Sequence, residues 1–162
     1  MKFTLLLLIF INMADLNFRK DIKLGEKGEQ VVLNDLISMG CSFVSDNKDN
    51  KYDLLIKRNN KDIKYEIKTD VFCAPGFDSG NIFIEIECRG KKSGVEVTEA
   101  EWFVTYFQFF NEIWYIKTDD LKKLIEDNPF HVGIGGDPGS KSTGYLIPRE
   151  KFKDSFIVRE TP

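Results

Sequence analysis

The chain has 162 residues, of which 42% are apolar and 13% aromatic, and it carries a formal charge of −3. That composition suits one globular domain with one core and excludes a disordered chain, which would hold fewer bulky residues and a larger net charge. The mild acidity does not announce a polyanion binder. It still leaves room for a site whose carboxylates hold a metal while basic groups line a single groove.

In chain order, Met1-Lys2-Phe3 leads into an apolar run from Thr4 to Ile11. The run is too short to span a bilayer comfortably, and Asn12-Met13-Ala14 lacks a small-x-small cleavage pattern. The favoured reading is a true start at Met13. An export signal over residues 1–14, or an anchor, is the alternative. We therefore divide the chain into an N-terminal extension, residues 1–16, and one domain, residues 17–162, with no stable membrane association expected. The odd set of Cys41, Cys73 and Cys88 forms no CxxC pair, and His131 is the only histidine. These counts argue against structural zinc and a histidine triad, and they favour a reducing, cytoplasmic location.

Lys27 to Met39 reads as a helix, with Val31, Val32, Asp35, Leu36 and Met39 on one stripe and Gly40 as terminator. Tyr52 to Lys57 and Ile63 to Lys68 alternate as strands around a two-residue turn at Asn59-Asn60, since asparagine tolerates positive φ. Ile82 to Cys88 is a third strand. Thr98 to Phe109 reads as a helix, with Thr98 and Glu101 as a capping box and Trp102, Tyr106, Phe107 and Phe110 on its core side. Asn111 to Lys117 is a fourth strand. Asp119 to Asp127 is a helix capped by Thr118 or Asp119. Short strands follow around Tyr145-Leu146-Ile147 and Phe156-Ile157-Val158. The glycine-rich stretch from Gly135 to Ser142 fails the spacing of a phosphate-binding P-loop. The sum is an α/β domain with a central sheet.

The hairpin carries the chemistry. A turn at Asn59-Asn60 pairs Arg58 with Lys61 and sets Asp53 opposite Glu66, with Cβ atoms about 4.5–5.5 Å apart. Two carboxylates that close destabilise the pair unless a cation lies between them. Lys68 shares their face, two residues beyond Glu66. A four-residue turn would put Asp53 opposite Lys68 instead and keep all three groups on that face. Mg²⁺ takes hard oxygen ligands, often one or two carboxylates with waters and substrate oxygens completing its shell. A neighbouring lysine can hold an attacking water or a phosphate. Glu29, on the first helix, supplies a further carboxylate through an outer-shell water.

An acid on one strand and Glu-x-Lys on the next, after a helix bearing a glutamate, resembles the PD-(D/E)XK nuclease superfamily, which includes many restriction enzymes, lambda-type exonucleases and archaeal Holliday-junction resolvases. The carrying residues are Asp53 in Lys51-Tyr52-Asp53-Leu54-Leu55, Glu66-Ile67-Lys68, and Gly25-Glu26-Lys27-Gly28-Glu29, the last similar to the resolvase-like branch. Ile84 to Gly90, Gly94, Thr98 to Trp102 and Tyr145 to Pro148 resemble nuclease-like proteins of phages and viruses. The residue before Asp53 is Tyr52, where the motif has proline.

The resemblance implies a restriction endonuclease-like fold, a central mixed β-sheet flanked by helices. It implies a nuclease that hydrolyses phosphodiester bonds with Mg²⁺ or Mn²⁺, held by Asp53, Glu66 and the Ile67 carbonyl, with Lys68 positioning the water. DNA is the favoured substrate and a homodimer the associated assembly, in the host cytoplasm if the protein is viral. Glu87 is an auxiliary acid at the edge of the site, with Glu85 on the same strand face. Arg89, Lys91 and Lys92 are candidates for phosphate contacts. The competing readings are a catalytically inert nucleic-acid-binding module on the same scaffold and a resolvase of branched DNA.

Overall fold

A computed structural model describes residues 26–46, 51–135 and 141–161. The expectations for the N-terminal extension, and most of the glycine-rich stretch before Ser142, lie outside those residues. Among the described residues no helix is long and apolar enough to cross a membrane.

The first helix, α1, is helical over 26–38. Its apolar stripe is the expected one: Val32 and Leu36 are buried, and Val31 and Met39 pack beside them. Gly40 ends it with φ +83. The Gly40 N–H bonds the Ile37 carbonyl and the Cys41 N–H bonds that of Leu36, the paired bonds of a Schellman cap.

The chain then builds a mixed six-stranded sheet in the order β1-β2-β3-β6-β7-β10. Its strands are β1 (Ser42–Asp46), β2 (Leu54–Arg58), β3 (Lys61–Asp70), β6 (Trp102–Phe107), β7 (Glu112–Lys117) and β10 (Ile157–Glu160). Asn59 and Asn60 turn β2 into β3 with φ of +50 and +61, the primed turn whose twist matches the strands. The ladder runs in the anticipated register from Arg58–Lys61 to Leu54–Tyr65. β3 and β6 are parallel, and the other neighbours are antiparallel.

The crossover between the parallel strands is no helix. It carries β4 (Asn81–Cys88) and β5 (Lys91–Lys92), which join β8 (His131–Gly135) and β9 (Ser142–Pro148) in a second, antiparallel sheet ordered β5-β4-β9-β8. Helix α2 (Thr118–Asp127) follows β7, and the single turn α3 (Arg149–Phe152) follows β9.

Two clusters of buried side chains occupy the two faces of the six-stranded sheet. Val32 and Leu36 of α1 meet Leu54, Ile56, Tyr65, Ile67, Val104 and Tyr115 on one face. Ile82 and Ile84 of β4 and Leu121 of α2 meet Phe103, Phe107, Trp114 and Ile116 on the other.

The structure departs from two expectations of the sequence. The segment from Thr98 to Phe109 is not a helix: Trp102–Phe107 is the strand β6. Its six residues are aromatic, β-branched or both apolar and large, and Phe103 and Phe107 enter one cluster while Val104 and Tyr106 enter the other. A central strand buried on both faces loses apolar–polar alternation, and its continuous apolar run then mimics a helix stripe. The helix after β7 also lacks its expected cap. Lys117 takes the N-cap position without a side-chain bond, and the Thr118 hydroxyl, the first helical residue's, is buried without a hydrogen-bond partner.

Candidate active site

Four of the residues singled out in the sequence converge where β2 begins and β3 passes its midpoint. The regular ladder stops at Leu54–Tyr65, one pair short of the expected Asp53–Glu66 opposition. Asp53 instead donates its N–H to the Tyr65 carbonyl at 2.8 Å, and its Oδ2 accepts the Ile67 N–H at 2.6 Å. The carboxylate is thereby tied across to β3 rather than left on a free strand end.

Glu66 is buried, with 7% of its surface exposed. It lies on the sheet face of Phe103, its partner on β6. Its Oε1 takes an ion pair from Lys68 Nζ at 2.6 Å, and its Oε2 lies 3.2 Å from the Thr98 hydroxyl. Glu29 arrives from the other side of the sheet. Helix α1 approaches β3 so closely at Gly28 that a Cβ there would lie 1.8 Å from Thr69 Oγ1. The missing side chain lets the first turn of α1 press onto β3 and brings the next residue, Glu29, within electrostatic reach of Asp53.

The electrostatics record a crowd of acids, with Glu66 buried and Asp53 and Glu29 half-buried. Burial, and then the Glu66 charge, push the Asp53 carboxyl up to about 6. Burial, and then Asp53 and Glu26, push Glu29 up to about 7. Burial works against the Lys68 ammonium, but Glu66 and Asp53 outweigh it and lift its pKa above the ordinary lysine value. Among the described residues Lys68 is the cation that lowers both Asp53 and Glu29, and that is not enough to bring them back to ordinary acidity.

The other candidates sit elsewhere. Glu87 is exposed and faces Lys92 across the β4–β5 ladder. Arg89, in the left-handed region at φ +51, forms the β4–β5 turn with Gly90, and Lys91 and Lys92 are exposed beside it. Lys92 lies 3.7 Å from Glu96. Of the two β4 acids, Glu85 is the one whose charge bears on Lys68. It is half-buried and accepts a hydrogen bond from Ser93 Oγ at 2.8 Å. A bulge between Glu85 and Glu87 breaks the regular pairing with β9, and even alternation along the sequence could not reveal it.

Thr98 is the residue that sequence reading placed wrongly. Its hydroxyl does accept a backbone N–H, that of Ala100 at 3.2 Å, but this bond closes a local turn leading into a strand. The signal in the sequence was real, and hydroxyl-to-backbone bonds of this kind serve turns as well as helix caps.

No protein-family model matches the chain, and no curated protein matches it in sequence. Among solved structures, a bacterial homing endonuclease, I-Ssp6803I, shares its fold. The two superpose with a TM-score of 0.52 over 76% of each chain, at 14% identity. This chain therefore has a mixed α/β fold that is also found in an endonuclease.

A divalent cation can be tested against the donors themselves. Asp53 and Glu66 offer hard carboxylate oxygens with no thiol or imidazole among them. Among the described residues, no three His, Cys, Asp or Glu side chains converge as a complete metal cage. Mg²⁺ does not need one, because it usually keeps waters and substrate oxygens and takes one or two carboxylates from the protein. Two acids left above their ordinary pKa beside a third are the setting that a hard cation relieves. The residues present fit such an ion.

Proposed function

We propose that the chain is a metal-dependent nuclease of the PD-(D/E)XK type that hydrolyses phosphodiester bonds in DNA. Asp53, Glu66 and the Ile67 carbonyl would hold Mg²⁺ or Mn²⁺. When bound, such an ion acidifies a water and neutralises charge on the phosphoryl oxygens. Lys68, anchored on Glu66, holds the attacking water or a phosphoryl oxygen. Water oxygen bonds to phosphorus as the bond to the leaving sugar oxygen breaks, and that oxygen takes its proton from solvent water. Glu29, poised near neutrality beside Asp53, is suited to take a proton from that water or to bind the ion through one. Arg89, Lys91 and Lys92 on the β4–β5 turn hold flanking phosphates.

The observation that carries this reading is the convergence itself. Glu66 and Lys68 come from β3, Asp53 from the residue before β2 and Glu29 from α1; Glu66 and Lys68 bear on Asp53, and Asp53 bears on Glu29 and Lys68. The endonuclease fold supports it.

The test is cleavage of supercoiled plasmid, linear duplex, single-stranded and branched DNA with Mg²⁺, Mn²⁺ or EDTA, comparing wild type with Glu66→Ala. Metal-dependent products that vanish in the variant are expected. A folded wild-type protein that cuts none of these substrates would replace the nuclease with a binding module.

A further inference from the structure

We infer that Thr98 is a positioning residue: its hydroxyl holds the Glu66 carboxylate and the segment leading into Asp53 in one geometry, so that metal affinity depends on it. The inference rests on the metal-binding reading above.

The Thr98 Oγ1 lies 3.2 Å from Glu66 Oε2 and 3.1 Å from the Lys51 carbonyl. It also accepts the Ala100 N–H. That accepted bond fixes the oxygen, so the single hydroxyl proton is left to serve two acceptors, a carbonyl and a carboxylate. A hydrogen bond to an ionised acceptor is roughly twice as strong as one to a neutral acceptor, which favours Glu66. With Lys68 on Oε1 and Thr98 on Oε2, both oxygens of this buried carboxylate have a partner, and the plane of the carboxylate is set from two sides.

The same short segment grips the stretch that leads into Asp53. The Glu99 N–H donates to the Lys51 carbonyl at 2.8 Å, and Lys51 Nζ pairs with Glu99 at 2.6 Å. Lys51 is two residues before Asp53. Residues 98 and 99 thus hold the approach to Asp53 with their backbone and charge, and Glu66 with their hydroxyl. Groups that orient a metal-binding carboxylate typically alter metal affinity about 10–100-fold when lost.

The experiment is Mn²⁺ titration calorimetry on the full-length protein without DNA, comparing wild type, Thr98→Val and Thr98→Ser, with cleavage rates measured alongside. Thr98→Val keeps the shape and loses the hydroxyl, and about a tenfold or greater loss of Mn²⁺ affinity is expected. Thr98→Ser keeps the hydroxyl and is expected to bind within about threefold of wild type. Should Thr98→Val not fold, Thr98→Ala removes the same hydroxyl without burying a methyl group and is held to the same expectation. Unchanged Mn²⁺ affinity on loss of the hydroxyl would overturn the inference alone. So would a serine variant as weak as the valine one, since that would mean packing and not the hydroxyl matters. A wild-type protein that binds no Mn²⁺ would overturn the metal-binding reading and this inference with it.

Discussion

Two acids of this protein, the buried Asp35 and the half-buried Asp53, are treated in opposite ways. Asp35, on α1, is 7% exposed and fully answered. Arg159 of β10 donates through Nε to both of its oxygens, at 3.0 and 2.8 Å, and the Tyr115 hydroxyl of β7 donates to Oδ2 at 2.8 Å. The carboxylate fastens a helix to two strands that lie far from it in sequence. Asp53 accepts one backbone N–H, and burial and then the Glu66 charge raise its pKa against the pull of Lys68. A buried charge with matched partners is part of the scaffold. One left under-compensated costs stability and is retained where a ligand or a reaction supplies the missing charge.

The comparison is broken most sharply by neutralising each acid in turn. Asp53→Asn is expected to lower DNA cleavage by on the order of 10²–10³ or more while the protein stays folded; undiminished cleavage by a folded variant would remove Asp53 from the chemistry. Asp35→Asn should do the reverse, leaving the cleavage machinery in place but costing about 1–3 kcal/mol in urea unfolding, because the Arg159 charge loses its counter-charge and Arg159 and Tyr115 are left with one acceptor oxygen in place of two. A loss below 1 kcal/mol would mean that Asp35 is no clamp.

A divalent cation should distinguish the two regions next. At about 100 times its Kd, Mn²⁺ is expected to stabilise the wild type by about 2.7 kcal/mol and Asp53→Asn hardly at all, with Asp35→Asn gaining as much as wild type. Equal stabilisation of all three would place the ion elsewhere.

Gly28→Ala tests the contact that delivers Glu29. A Cβ there would meet Thr69 Oγ1 at 1.8 Å, Cβ at 3.0 Å and Cγ2 at 3.3 Å, so rotating Thr69 offers no relief. The expected cost is about 1–3 kcal/mol with slower cleavage, both recovered in part by adding Thr69→Ala; an innocuous Gly28→Ala would show that α1 can stand off from the sheet.

The smallest effect is a pH dependence on the scaffold side. Burial pushes the Tyr65 hydroxyl up to about 12, and burial together with the bond to Asp35 also raises Tyr115. A tyrosine in the unfolded chain ionises near 10. The contribution of these residues is therefore intact below about pH 10 and is lost as pH climbs above it, when only the unfolded state can ionise. The urea midpoint should fall between pH 9 and 11, and Tyr115→Phe should flatten the fall. An equal fall in that variant would exonerate the clamp.

Much of the candidate site was legible because it is local. Asn59-Asn60 fixes the turn, the turn fixes the ladder as far as Leu54–Tyr65, and strand alternation then puts Glu66 and Lys68 on one face, while Asp53, just before β2, is held by its bond to the Ile67 N–H. The Gly40 stop of α1 and the stripe of Val32 and Leu36 were legible for the same reason. Which β4 acid bears on Lys68 was not, since the bulge before Glu87 depends on pairing with β9.

Those short-range relations, the hairpin register and the helix with its cap, follow from neighbouring residues alone, because turn chemistry and side-chain period act over a few residues. Only the tertiary structure decided that Trp102–Phe107 is a strand, since burial on both faces erases the alternation that would announce it. Only tertiary structure brought Thr98 to Glu66 and Arg159 to Asp35, 32 and 124 residues apart. Such pairings are chosen by the packing of whole sheets and helices, and no local pattern encodes them.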